Sequence, residues 1–311
     1  MTLAASRDGY GEGLMGLVGD EKVVVLEADL GKSTKSLWFR QAHPERTFSL
    51  GISEQNMMLV AAGLASCGYK PFASTFAIFT ERGFEQVRNG IARPNLPVHI
   101  CGSHGGIHTG TDGSSAQSIA DLAIYRSLPN MTVMHPCDDL STEALTIKLG
   151  NYDSPSYTRT ARNKTERIYD SDSAATLQIG KGSRLRNGSD VAILACGVMV
   201  SKALTAADNL AGQGIDATVV DMHTIKPLDE QLIARLSTEC GCFVTCEDHS
   251  VIGGLGGAVA EHLSATTPQP LERIGVQDHY GESGDGEELL TKYGMSSDHI
   301  VTAAQRAIAR K

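Results

Sequence analysis

The 311-residue chain lacks any apolar run long enough to span a bilayer, and its N-terminus lacks a basic stretch followed by an apolar core, so neither a membrane anchor nor a leader is expected. It also lacks clustered basic residues. Its formal net charge is -9 and Lys and Arg are scattered, which removes the electrostatic footprint of nucleic-acid or anionic-membrane binding. Disulfide spacing is missing too: seven cysteines is an odd number in a long chain, suited to reduced thiols packing as small apolar groups in a cytoplasmic protein. Cys240, Cys242, Cys246 and His249 look like a buried strand entering a polar turn, because a zinc site draws on paired ligands from two turns. Aromatics are few at 5%, yet 41% hydrophobic and 20% charged residues describe an ordinary globular protein, with about two domains at roughly 150 residues each.

What is present is an alternation of short β-rich runs with helix-period segments. Strands are expected at 22–26, 72–79, 98–101, 132–135 and 156–160, and helices at 54–66, 83–91, 119–127 and 141–149. The polar, Gly- and Ser-rich stretch 163–190 reads as a surface connection. The pattern resumes with strands at 191–195, 217–222 and 243–245 and helices at 200–211 and 230–236. The expected architecture is α/β: two doubly wound domains with mostly parallel sheets, 1–165 and a smaller 190–311, joined by a linker at 166–189.

Two glycine motifs invite ligand readings and fail them. Gly253-Gly254-Leu255-Gly256-Gly257 misses the dinucleotide spacing, since counting from Gly254 the last position is Val259, and it reads as a closely packed helix start. Gly284-Asp285-Gly286 has the form of a diphosphate-metal motif, but no Asn occurs in 287–311 and it reads as a turn, so no metal ligand is assigned.

The specific signal is Ser49-Leu50-Gly51-Ile52-Ser53-Glu54-Gln55-Asn56-Met57, followed by 71–79 (Pro-Phe-Ala-Ser-Thr-Phe-Ala-Ile-Phe) and Gly110-Thr111-Asp112-Gly113-Ser114-Ser115. Read alone, Glu54 is a carboxylate favoured at a helix start. Together with Ser6-Arg7-Asp8-Gly9-Tyr10-Gly11-Glu12, 26–34, 128–133, 136–139, 220–229, Glu247-Asp248-His249 and Gly281-Glu282-Ser283-Gly284, the set resembles the C-terminal half of transketolase, as found where bacteria encode the enzyme in two polypeptides.

That resemblance implies a thiamine diphosphate pyrimidine-binding domain followed by a transketolase C-terminal-like domain. It implies that Glu54 hydrogen-bonds N1′ of the cofactor pyrimidine and exchanges a proton there, and that Phe76 and Phe79 pack around the ring. Asp29 resembles an acid close to the cofactor. Ser33 and Arg162 resemble the pair gripping a sugar phosphate, and His104 and Asp112 resemble contacts to substrate hydroxyls, with His104 in the catalytic set. Nothing resembles the Mg²⁺ and diphosphate half of the site. A partner, the N-terminal transketolase subunit, is therefore implied to hold Mg²⁺ and the diphosphate, with self-association into an α2β2 assembly, sugar phosphates as substrates and no nucleic acid or membrane as partner. Two positions depart from the family: Ala116 replaces a histidine that faces the substrate, and His135 stands where some relatives have arginine. The competing readings are a 1-deoxyxylulose-5-phosphate synthase-like or 2-oxo acid dehydrogenase β-like half enzyme, and a non-catalytic assembly or regulatory subunit. The Ser33-Thr34 pair and the Ser-Glu-Gln-Asn-Met-Met form favour transketolase.

Overall fold

The computed structural model describes residues 2–311. In chain order its strands are β1 (Leu3–Ala4), β2 (Val23–Glu27), β3 (Thr47–Ser49), β4 (Lys70–Phe76), β5 (His99–Ser103), β6 (Thr132–Met134), β7 (Ser156–Thr160), β8 (Thr165–Glu166), β9 (Ser183–Arg186), β10 (Val191–Ala195), β11 (Ala217–Asp221), β12 (Thr224–Lys226), β13 (Phe243–Ser250) and β14 (Leu271–Val276). A seven-stranded sheet has the order β12-β6-β7-β5-β4-β2-β3, and a five-stranded sheet the order β14-β13-β10-β11-β9. Neighbours pair parallel except at β12–β6 and β11–β9.

The strand sequences explain this arrangement. Val23 and Val25 enter one apolar cluster while Val24 and Leu26 enter another, and Val191, Ile193 and Ala195 separate from Ala192 and Leu194 in the same way. Strands buried on both faces need apolar residues at every position, which is why they read as continuous runs between helices. Both clusters draw residues from both sheets, so the two α/β domains share their packing.

The elements depart from expectation at several places. β4 ends at Phe76 and a helical turn, Ala77–Thr80, follows, so Phe79 is not on the strand. On a strand, residues three apart face opposite sides; on a helical turn they share one. The segment expected to form a helix over 83–91 becomes a short turn that widens into a π-helical stretch, Val87–Ala92. The connection expected to be featureless contains β8, which pairs with β1, and β9, the antiparallel edge of the second sheet. Charged Arg184 and Arg186 suit such an edge and hide it from an apolar pattern. Finally, β13 runs on through Glu247, Asp248 and His249, whose polarity masks strand residues that are wholly buried.

Those buried polar residues join the domains. Arg159, fully buried on β7, donates to Asp121 Oδ1 at 2.8 Å, to the Ser118 carbonyl at 2.6 Å and to the Asp248 carbonyl at 2.6 Å. Tyr157 donates to the other Asp121 oxygen at 2.6 Å. Asp248 accepts from the backbone N–H groups of Ile107 at 2.8 Å and His108 at 3.0 Å. A Cβ on Gly105 would lie 1.9 Å from Arg159 Nε, so only glycine admits the guanidinium there. Arg159→Met should leave the Asp121 carboxylate buried without its cation and cost about 3–5 kcal/mol in urea unfolding. A loss below about 1 kcal/mol would mean that the pair behaves like a surface ion pair.

Candidate active site

The candidate residues gather at the C-terminal ends of the parallel strands β2, β4, β5 and β7, the edge where open α/β sheets leave a crevice. After β2, the buried Glu27 accepts from the N–H groups of Leu30 at 2.9 Å and Gly31 at 3.1 Å. This carboxylate cap shapes the loop carrying Asp29, whose φ is 61°, and Ser33. Glu27 is a supporting residue the sequence did not single out; its place before a helix start was the available signal. Asp29 itself is exposed, and among the described residues no hydrogen bond ties its side chain to the rest of the site.

Glu54 opens the helix Glu54–Ser66 and is only 1% exposed. Thr75 Oγ1 donates to its Oε1 at 3.4 Å. Oε2 is buried with no hydrogen-bond partner. The nearest cation is Arg82, whose guanidinium stands 3.7 Å from Oε2 and is itself largely exposed. Arg82, on the turn after Phe79, was not anticipated, because its register toward Glu54 depends on where β4 stops.

Phe76 ends β4 and Phe79 lies three residues on in the following turn, so their rings are nearly coplanar in orientation, 6° apart with centroids 5.6 Å apart. The imidazole of His104 stacks on Phe76 at 3.8 Å. His104 follows β5 with a φ of 62°, a left-handed conformation uncommon for a side chain of this size. Its Nδ1 lies 2.8 Å from Ser103 Oγ and its Nε2 3.4 Å from Arg7 Nη1. A guanidinium can only donate, so Nε2 is the acceptor and the proton resides on Nδ1, donated to Ser103. Burial, reinforced by Arg7 and Arg162, depresses the His104 pKa to about 3.

Arg7 also donates to the Ser33 carbonyl at 3.1 Å, which links the β2 loop to His104. Its presence in the Ser6-Arg7-Asp8 motif was the only sequence signal for that role. Arg162, just beyond β7, donates to the Thr109 carbonyl at 3.3 Å and faces Asp112 at 3.8 Å. Thus Glu54, Phe76, Phe79 and His104 are joined through Thr75 and direct stacking, Arg7 joins His104 to Ser33, and Arg162 pairs with Asp112.

Other singled-out positions fall elsewhere. His135 is buried in the seam between the sheets, where a Cβ on Gly197 would meet its ring at 2.0 Å, so it serves domain packing. Ala116, partly exposed, donates its N–H to the Gly113 carbonyl at 3.0 Å in the turn after Asp112. His108 turns toward the second domain, with Nε2 3.2 Å from Glu287. Asp285 accepts from the N–H groups of Glu287 and Glu288 and caps the helix Gly286–Lys292. Glu247 accepts from Leu255 at 2.8 Å and Gly256 at 2.7 Å, while a Cβ on Gly254 would lie 1.9 Å from its Oε2, so the glycine-rich helix start holds the protein's own carboxylate. The Cys240 and Cys242 thiols donate to the backbone carbonyls of Gly188 and Asp190.

A buried acid with one oxygen free of hydrogen bonds, tied through Thr75 to the strand end that carries the stacked Phe76 and Phe79, suits a flat ring bearing a nitrogen. The chain belongs to the transketolase family: the family's pyrimidine binding domain matches residues 4–167 and its C-terminal domain residues 180–300. It is 45% identical over 297 residues to a putative transketolase C-terminal section of Methanocaldococcus jannaschii, covering 94% of this chain and 93% of that one. It is 42% identical to the 6-deoxy-6-sulfo-D-fructose transketolase subunit of a Clostridium species, covering 94% and 90%. A 1-deoxy-D-xylulose-5-phosphate synthase of Caldanaerobacter subterraneus is 37% identical, with the match spanning 46% of that longer chain. Among solved structures, a split gene transketolase described as an inactive beta4 tetramer superposes with a TM-score of 0.92 at 45% identity, covering 99% of each chain.

The residues present fit the pyrimidine of thiamine diphosphate. Glu54 Oε2 is a buried oxygen without a hydrogen-bond partner, able to meet a ring nitrogen, and Phe76 and Phe79, just beyond Thr75, offer parallel aromatic faces. Among the described residues no cluster of His, Cys, Asp or Glu is arranged to hold a metal ion. No helix among them is long and apolar enough to cross a membrane.

The depressed His104 pKa has a direct check. Its imidazole should stay uncharged down to about pH 5, whereas an ordinary histidine is half protonated near pH 6.5. An NMR titration reads this, and a midpoint near 6.5 would place His104 in contact with water.

Proposed function

We propose that this chain is the pyrimidine-holding subunit of a thiamine diphosphate-dependent transketolase, which moves a two-carbon ketol unit from a ketose phosphate to an aldose. In this reading it works with an N-terminal transketolase subunit that carries Mg²⁺ and the diphosphate contacts, in a cytoplasmic α2β2 assembly. The observation that carries the reading is the buried, unpartnered Glu54 Oε2 beside Phe76 and Phe79. The similarity to separately encoded transketolase sections of nearly the same length supports a two-polypeptide arrangement.

The cofactor, when bound, supplies a nucleophilic ring carbon that can carry the two-carbon unit. Glu54 holds a proton at the pyrimidine N1′, and a carboxylate is required because it must both give and take that proton. Phe76 and Phe79 orient the ring and exclude water. At the other end, Arg162 with Ser33 receives the phosphate, where the guanidinium fork matches two phosphate oxygens. Uncharged His104 and Asp112 address the sugar hydroxyls, and Asp29 lies toward the cofactor. Ala116 offers no side-chain hydrogen bond where the family resemblance implies an imidazole, so the preference among acceptor aldoses is altered. A 1-deoxyxylulose-5-phosphate synthase-like half enzyme is the second reading, favoured by the 37% identity to such synthases, and it calls for a 2-oxo acid donor in place of a ketose.

The chain alone should not bind thiamine diphosphate tightly or turn over; micromolar binding with Mg²⁺ in calorimetry would overturn the two-subunit reading. In the reconstituted complex, Glu54→Gln should slow hydrogen–deuterium exchange at the cofactor's reacting carbon by roughly 10²–10⁴-fold with assembly intact. An unchanged exchange rate would leave Glu54 only a helix-start carboxylate. Arg162→Ala should raise KM for phosphorylated sugars by about 10-fold or more and hardly change it for unphosphorylated ones. Equal effects on both would remove Arg162 from the site.

A further inference from the structure

The second domain contributes none of the side chains assigned above to cofactor or substrate, yet one of its carboxylates controls the segment that presents them. We propose that Asp248 is a positioning residue for the substrate end of the site, acting through the turn Ile107–Asp112. The inference rests on the ketol-transfer reading.

Both Asp248 oxygens are engaged by consecutive backbone amides of the first domain, Ile107 N–H at 2.8 Å and His108 N–H at 3.0 Å. The side chain is buried, so no water replaces these bonds. A Cβ on Gly106 would lie 2.0 Å from Asp248 Oδ2, and the φ of Gly106 is 84°, so the chain is bent tightly over the carboxylate. Asp248 is fixed in turn by Arg159, which grips its carbonyl.

From this fixed point the chain runs directly into both ends of the substrate site. Thr109 Oγ1 donates to the His104 carbonyl at 2.8 Å, three residues behind the anchor, and so holds the left-handed backbone of His104. The Thr109 carbonyl receives Arg162 Nη1 at 3.3 Å, Thr111 Oγ1 stands 3.5 Å from the same nitrogen, and Asp112 faces the other terminal nitrogen. His104 and Arg162 therefore take their spacing from one turn whose amides are held by a residue of the other domain. Glu54, Phe76 and Phe79 lie on β4 and the helices beside it, outside that turn, and touch the segment it holds where Phe76 stacks on His104. Loss of the anchor should separate substrate binding from cofactor binding, which a general loss of stability would not do.

The test uses the reconstituted complex with Asp248→Asn. The amide keeps the shape but presents an NH₂ group to one of the two amides, which loses its acceptor. Expected is a rise of roughly 10-fold in KM for the phosphorylated ketose, with kcat within about 3-fold and the calorimetric affinity for thiamine diphosphate within about 2-fold of wild type. Backbone hydrogen exchange of the 104–113 segment should rise in the same variant. Gly106→Ala, which disturbs the same turn and removes no polar group, should reproduce the split. An unchanged KM in both variants overturns the proposal. So does a parallel loss of cofactor and substrate affinity, or failure of both variants to fold, since either assigns Asp248 to stability alone. A wild-type complex that transfers no ketol unit overturns the functional reading, and this inference falls with it.

Discussion

The buried guanidinium of Arg159 is the constraint from which much of the structure follows. A permanent cation without access to water must be surrounded by acceptors, and here they come from Asp121, from the Ser118 carbonyl and from Asp248 of the second domain. Meeting that requirement positions the 104–121 segment and docks the end of β13. It also forces glycine at position 105, where a side chain would collide with the guanidinium. The placement of one sheet against the other is thus directed as well as apolar: packing alone tolerates sliding, whereas hydrogen bonds to a planar cation fix distance and angle.

The site on this frame has two electrostatically different ends. At one end stands the Glu54 carboxylate, with an exposed arginine at 3.7 Å and the stacked Phe76 and Phe79 just beyond Thr75, an environment in which a buried oxygen without a hydrogen bond is a strong site for a ring nitrogen. Around His104, Arg7 and Arg162 supply two cations, opposed by Asp8 and Asp112. Those cations and burial keep the imidazole uncharged, so it offers a neutral hydrogen-bonding edge beside a region suited to anions. The two ends meet at the stacked pair of Phe76 and His104.

Several motifs with the look of ligand loops are occupied by the protein itself. Glu27, Glu247 and Asp285 each place a carboxylate against free N–H groups at a helix start. A helix terminus favours an anion whatever its source, so glycine-rich sequence before a helix does not distinguish a phosphate site from an internal cap. Here the acid lies in the chain.

Much of the fold was legible in the sequence because parallel strands buried on both faces must be apolar at each position, and 23–26 and 191–195 have no other reading once helices alternate with them. Glu54, Phe76 and Phe79 were legible through motif, since their residue types and spacing match a family that this chain belongs to. The structure places His104, Arg162 and Asp112 at one edge, joined through the turn that carries Thr109, while Asp29 stands exposed and apart from the hydrogen-bonded set. Less legible were the edge strands β9 and β12, the length of β13 and the roles of Arg7, Arg82 and Asp248. An edge strand carries charge, a buried polar strand imitates a loop, and a side chain that serves a distant segment has no local pattern. The sequence by itself determined which stretches are buried and what chemistry they hold. Only the tertiary structure decided that Glu54 keeps an oxygen free of hydrogen bonds, that His104 loses its charge and that Asp248 reaches across to the turn Ile107–Asp112, because each depends on neighbours brought together by folding, many of them remote in the chain.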